Sequence, residues 1–168
     1  MKTDANVQTA RAAMSKFVLA VDPGKATGMA LFRYANGEEP KLIWSLEVQQ
    51  EEYAAPIRAT LDSAKVMGKE IDVVCERFTI NAQTVRNSQA PFSLEQIGIL
   101  KQCLLDAGRA TTDIYFQSPS DAKAMFDNPK LKKLEYWHVG GEGHALDAIR
   151  HGLLHIIRLG WKPTRLLQ

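Results

Sequence analysis

An α/β fold is predicted, with a mixed β-sheet of three antiparallel strands followed by parallel strands and with helices on both faces. Three observations predict it. The chain opens with three short apolar runs separated by turn residues, then alternates segments of helical period with strand-like runs, and closes on a long amphipathic segment. Hairpins supply the antiparallel strands, and helical crossovers supply the parallel ones. With 168 residues, 45% hydrophobic and 24% charged, the chain is long enough to bury a core without disulfides or a structural metal.

Taken in order, residues 1–16 are polar and alanine-rich and are expected to be a flexible leader outside a domain spanning 17–168. FVLAVD, from Phe17 to Asp22, is a first strand, DPGKATG is turn chemistry, and TGMALFRY is a second strand reaching the Asn36-Gly37 turn. KLIWSLEV after Pro40 is a third. Tyr53, Ile57, Leu61 and Ala64 recur at helical spacing between Glu51 and Met67, and Gly68 ends that helix. IDVVCE is a strand covered on both faces.

FTINAQTVRNSQAP is irregular. A helix is expected from Ser93, where SLEQ has the form of a capping box, to Asp106. TTDIYFQ is a further strand, and SPSDAKAMF opens a short helix with Pro119 near its start. Residues 127–143 show no clear period and are expected to form a connection. HALDAIRHGLLHIIRLG is a last helix ending at Gly160.

Composition excludes several function classes. Cys75 and Cys103 stand alone in apolar stretches, as buried thiols of a reducing compartment would. No apolar run is long enough for a signal peptide or a membrane span, so a cytoplasmic protein without a membrane partner is expected. A net charge of +2 points to local basic clusters rather than a globally basic nucleic-acid binder.

Three carboxylates stand at the ends of core elements. Asp22 closes LAVD, Glu76 closes VVCE, and Asp147 sits in ALDAI in the first turns of the last helix. A lone charge in such surroundings is costly to desolvate, so each needs a cation or a strong hydrogen-bonding partner, and a shared divalent metal is one solution. At ~100° per residue His144, Asp147, His151 and His155 share one helix face, with Ile149, Leu153, Ile156 and Ile157 on the other to pack on the sheet. His144 and Asp147 lie about 4.5 Å apart along the axis, whereas His155 is about 16 Å from His144. Only the first pair fits one compact site. His151 and His155 are expected to be partly exposed without a ligand role.

Together these residues resemble the RuvC-like Holliday junction resolvases of the RNase H-like superfamily. The match runs from Phe17 to His155 through FVLAVDPGKATGMALF, VVCERF with LEQIG downstream, and GHALDAIRHGLLH. The resemblance implies an RNase H-like fold and a catalytic and metal-binding site of Asp22, Glu76, His144 and Asp147. It also implies branched DNA, four-way junctions above all, as substrate, and a homodimer as the working form. The activity implied is that of a crossover junction endodeoxyribonuclease, and the short chain's departure from the cellular pattern in its lysine loop suggests a phage-type member.

The chemistry fits those residue types. Phosphodiester hydrolysis must activate a water and stabilise a departing oxygen, which two ions held by carboxylates can do. Hard oxygen ligands favour Mg²⁺ or Mn²⁺, two ions per site. Asp22 would bridge them, Glu76 would hold the ion on the nucleophile side, and Asp147 the other. His144 would ligate that second ion or move a proton.

DNA contacts are expected from local cations and one aromatic. Lys123, in SPSDAK, matches the family's lysine before its DNA-contacting loop. Lys130, Lys132 and Lys133 follow in DNPKLKKL, which departs from the family's glycine-bearing motif. Arg77, Phe78 and Arg86 come from the segment after Glu76, with Phe78 a candidate wedge or else a core residue. The helix carrying Leu94, Ile97, Leu100, Lys101 and Leu104 would supply part of a dimer interface or pack on its own sheet. Other readings are a different nuclease on this fold, such as a flap or ribosomal-RNA-processing enzyme, a non-catalytic junction-binding module, or an actin-like ATPase. The last needs a second phosphate-binding domain that 168 residues do not hold.

Overall fold

The computed structural model describes residues 15–35, 37–80, 90–139 and 143–167. Apart from its last two residues the leader lies outside these, as does Arg86; Lys16 already opens the first strand. In chain order come β1 (Lys16–Asp22), β2 (Ala26–Tyr34), β3 (Lys41–Gln49), α1 (Ala54–Val66), β4 (Ile71–Glu76), α2 (Ala90–Asp106), β5 (Ile114–Gln117), α3 (Pro119–Met125), α4 (Asn128–Lys133) and α5 (His144–Arg158). The sheet order is β3-β2-β1-β4-β5. β1–β2 and β2–β3 pair antiparallel, and β1–β4 and β4–β5 pair parallel. The predicted mixed sheet is therefore present.

Alternation along the strands divides the core into two layers. Val18, Ala20, Phe32 and Val74 meet Phe126, Leu131, Ile149 and Leu153 from α5 and the α3–α4 region. Leu19, Val21, Val73 and Cys75 meet Ile57 and Leu61 of α1 and Leu100 and Leu104 of α2. Helices thus cover both faces, and β1 and β4 are apolar on both sides for that reason. The period of two then directs Asp22, in step with Val18 and Ala20, and Glu76, in step with Val74, toward α5.

α5 lies across β1 and β2 with 11 of its 15 residues buried. Gly152 permits that approach, since a Cβ there would stand 2.5 Å from the Phe32 ring. His151 and His155, expected to be partly exposed, are instead turned to β4 and are 1% and 4% exposed. The apolar residues expected to face the sheet share this burial because α3 and the α4 region cover the helix from outside.

Three further expectations are corrected. α2 begins at Ala90, not at Ser93. Ser93 is no cap: its buried hydroxyl donates to the Pro23 carbonyl at 2.9 Å. Thr111–Asp113 form a 3-10 turn, so β5 is only four residues long. The connection expected over 127–143 contains α4, which Asp127 caps by accepting from the Lys130 N–H at 2.9 Å, with Pro129 in its first turn.

Candidate active site

The site grows out of strand register. Val21 pairs with Cys75, so Asp22 and Glu76 follow as neighbours at the ends of adjacent parallel strands, about 4.8 Å apart in the backbone. On the other side Asp22 pairs with Gly28, and Gly28 with Glu47. One row across three strands therefore reads Asp22, Gly28, Glu47. The turn between β1 and β2 is fixed by buried Thr27, whose hydroxyl donates to the Gly24 carbonyl at 3.1 Å and accepts the Gly24 N–H at 3.3 Å.

α5 begins directly over this row. Glu47 accepts the N–H groups of Gly143 at 3.0 Å and Ala145 at 3.4 Å, satisfying donors at the helix start and placing a negative charge at its positive end. His144 then reaches Asp22, its Nδ1 standing 2.8 Å from the carboxylate. Asp147, one turn on, is held by Arg150 through Oδ1 and by the Lys123 ammonium at 3.0 Å through Oδ2. Glu76 is met by His151, with Nε2 2.9 Å from its carboxylate.

The electrostatics report the same convergence. Burial raises the Asp22 carboxyl to about 6, the charges of Glu76 and Asp147 push the same way, and the His144 hydrogen bond and charge oppose it. His144 is raised by its hydrogen bond to Asp22, against its partial burial, with further help from the charges of Asp22, Glu47 and Asp147. For Lys123, partial burial is outweighed by the Asp147 hydrogen bond and by the charges of Asp147, Glu76 and Asp22, so its ammonium is held above the ordinary value. Three carboxylates thus act on one lysine, and two of them on the third.

Among the described residues no three His, Cys, Asp or Glu side chains stand as a ready-made metal cage. The reason is visible in the partners: His144, His151, and Arg150 with Lys123 each occupy a carboxylate. The donor chemistry nevertheless fits a hard divalent cation: the site offers carboxylate oxygens, and the burial that raises Asp22 to about 6, together with the charges of Glu76 and Asp147, disfavours its anion in a way that a bound cation would relieve. The partner on Asp147 Oδ2, Lys123, is 57% exposed along its side chain.

Of the residues expected to touch nucleic acid, Lys123 borders a cleft of about 630 Å³ lined also by Asn128, Trp137, His144, Asp147 and Arg150. Lys132 and Lys133 are exposed on the last turn of α4, Lys132 with its Nζ 4.9 Å from the centre of the Trp137 ring. Lys130 is instead turned back onto the carbonyls of Ala124 and Met125. Arg77 is exposed beside Glu76. Phe78 packs, half-buried, against the α1–α2 core, and the neighbouring Ile80 is the exposed apolar side chain. Ile97, Leu100 and Leu104 are consumed by the core, leaving Leu94 exposed on α2.

Sequence reasoning missed Glu47, Gln117, Arg150 and His151. Glu47 sits in a strand of ordinary alternation and carries no signal. Arg150 was findable: an arginine three residues after Asp147, in an apolar helix, needs a carboxylate partner.

No family model matches the sequence, and neither does any curated protein. Among solved structures the chain is similar to Thermus thermophilus RuvC in complex with a Holliday junction substrate, with a TM-score of 0.61 and 19% identity over 86% of this chain and 96% of that one. A second structure of T. thermophilus RuvC gives 0.60 and 18% over the same shares. The chain has the RuvC-like, RNase H-like α/β fold.

Proposed function

We propose that this chain, built on the RuvC-like fold, is a metal-dependent, structure-selective endodeoxyribonuclease that cuts branched DNA, four-way junctions in particular, by phosphodiester hydrolysis. The observation that carries the proposal is the convergence of Asp22, Glu76, Asp147 and His144 where β1 and β4 end and α5 begins. On this fold one solved relative, T. thermophilus RuvC, is seen with a Holliday junction substrate.

Asp22, Glu76 and Asp147 would hold Mg²⁺ or Mn²⁺, which supplies a water nucleophile at neutral pH and stabilises charge on the leaving oxygen. Asp22 orients His144 through Nδ1, leaving Nε2 as the nitrogen that exchanges a proton with the reacting phosphodiester. Lys123, Lys132, Lys133 and Arg77 supply phosphate contacts around the cleft. Arg86 is proposed for the same role from its sequence position. Two symmetric cuts call for two such sites, so the active form is a homodimer.

Cleavage of a synthetic four-way junction, a flap and a linear duplex with Mg²⁺ or Mn²⁺ tests this reading. The junction is cut first and fastest, and Asp22→Asn or Asp147→Asn abolishes cutting while junction binding persists. Equal cutting of all three substrates rejects the resolvase assignment in favour of a general nuclease on the same fold. Junction binding without any cutting leaves a binding module.

A further inference from the structure

We infer that His151 is a positioning residue for Glu76, anchored in turn by Gln117, so that a buried Gln117–His151–Glu76 chain sets the orientation of one of the proposed catalytic carboxylates. The inference rests on the nuclease reading and extends it to residues outside the acidic set.

His151 lies in the middle of α5 and is 1% exposed. Its ring spans the gap between helix and sheet: Nε2 stands 2.9 Å from Glu76 Oε2 and Nδ1 2.9 Å from Gln117 Oε1. Gln117 is itself 2% exposed and pairs with Glu76 in the β4–β5 register, and its carbonyl accepts the Arg77 N–H at 2.7 Å. Three elements therefore close on one carboxylate.

A helix so thoroughly buried calls for an apolar residue at this position, as at Ile149, Leu153 and Ile156. An imidazole there is costly unless both nitrogens find partners, and here both do. The Gln117 side-chain nitrogen, by contrast, is buried without a partner. Turning that amide over places its N–H on Nδ1 and leaves the ring proton on Nε2, where it donates to Glu76. A Glu at a strand end has several side-chain rotamers, and a donor fixed from below selects one. Ligating carboxylates are commonly held by outer hydrogen bonds of this kind, and losing one costs about 10- to 100-fold in metal affinity or activity.

His155 supplies the internal control. One turn further along, its Nε2 stands 2.9 Å from Asp72, which also takes Lys16 at 2.9 Å. This is the same pairing of a buried imidazole with a β4 carboxylate, but at the opposite end of β4 from Glu76.

The test uses the full chain and the variants His151→Phe, His151→Gln, Gln117→Met and His155→Phe. Mn²⁺ binding is read by electron paramagnetic resonance without DNA, single-turnover junction cutting is read alongside junction Kd, and Tm is measured for each. His151→Phe is expected to weaken Mn²⁺ binding and slow cutting by about 10- to 100-fold with junction Kd within about twofold. His151→Gln, which keeps a donor, recovers most of both losses at a similar Tm. Gln117→Met, which keeps the ring but frees it, loses about tenfold and serves where His151→Phe does not fold. His155→Phe lowers Tm and leaves Mn²⁺ affinity and rate at the wild-type level. Wild-type Mn²⁺ affinity and rate in both His151→Phe and Gln117→Met overturn the inference, as does an equal loss in His155→Phe. A wild-type protein that neither binds Mn²⁺ nor cuts any branched substrate overturns the nuclease reading itself, and the inference falls with it.

Discussion

Gly28 lies directly beneath the main chain of His144: a Cβ on Gly28 would stand 1.9 Å from the His144 carbonyl oxygen and 2.7 Å from the Ala145 nitrogen. This missing side chain lets α5 descend between Asp22 and Glu47, which flank Gly28 in the same row and bind His144 and the helix start. Gly28→Ala must therefore lift the start of α5. Overpacking of this kind costs about 1–3 kcal/mol, and a displacement of ~1 Å at a reacting group costs about 100-fold in rate. Denaturant midpoints and junction cutting check it; unchanged cutting would show that the approach of helix to strand is not what positions His144.

The Asp22 carboxyl gives a pH signature. Its value is raised from 3.8 to about 6, so the folded protein keeps a proton that the unfolded chain releases across that window. Without metal, stability contributed by this group is greatest below about pH 4, declines as pH rises toward 6 and is flat above. A shift of that size corresponds to at most about 3 kcal/mol. Asp22→Asn is expected to abolish cutting yet raise Tm at pH 8 in chelator, with the advantage vanishing near pH 4. Loss of stability at pH 8 would mean that the bond to His144 outweighs the burial of charge.

Glu47 offers a test of how α5 is held. Its carboxylate accepts two N–H groups at the helix start and its charge raises His144. Glu47→Gln keeps an acceptor and removes the charge, so the helix loses about 0.3–1 kcal/mol of charge–dipole interaction. The His144 imidazolium becomes easier to deprotonate, and its midpoint in an NMR titration moves down. A midpoint that stays or rises would contradict the proximity of Glu47 to that ring.

The division of the site into legible and illegible parts follows from distance along the chain. Asp22, Glu76 and the His144/Asp147 pair could be found because each is a charge set in an apolar run, which is a local anomaly. The sheet could be found because period and turn chemistry are local too. What escaped was the pairing of those charges. His151 looked like a residue of a polar face because α5 has a strong helical period, but the face it marks is turned to Glu76 and Gln117 on the sheet, 75 and 34 residues away. Ser93 matched a capping pattern, and Pro91 one position inside the true helix start was the better signal. α4 leaves little periodic signal because its six residues make fewer than two helical turns, although Asp127 and Pro129 announce it.

Asp147 is held by two cations of opposite character, and they should behave differently. Arg150 is nearly buried, its side chain 9% exposed, and it also binds Asn128 and the Phe126 carbonyl, so it ties α5 to the start of α4. Removing one partner of a fully buried pair costs about 3–5 kcal/mol, and because Asp147 is partly exposed and keeps Lys123, Arg150→Met is expected to lower stability by no more than about 3 kcal/mol. Lys123 is 57% exposed along its side chain, and an exposed pair contributes at most about 1 kcal/mol. Lys123→Ala should leave Tm almost unmoved. With Oδ2 released, Asp147 is open to a cation, so half-maximal cutting should need less Mg²⁺ than in the wild type. If the same lysine also contacts a phosphate, the slope of log affinity against log salt becomes shallower by about 0.9. Junction binding measured across a salt series, together with a Mg²⁺ titration of cutting, separates the two effects. A higher Mg²⁺ requirement with an unchanged salt slope would assign Lys123 to holding Asp147 in place rather than to vacating it for an ion.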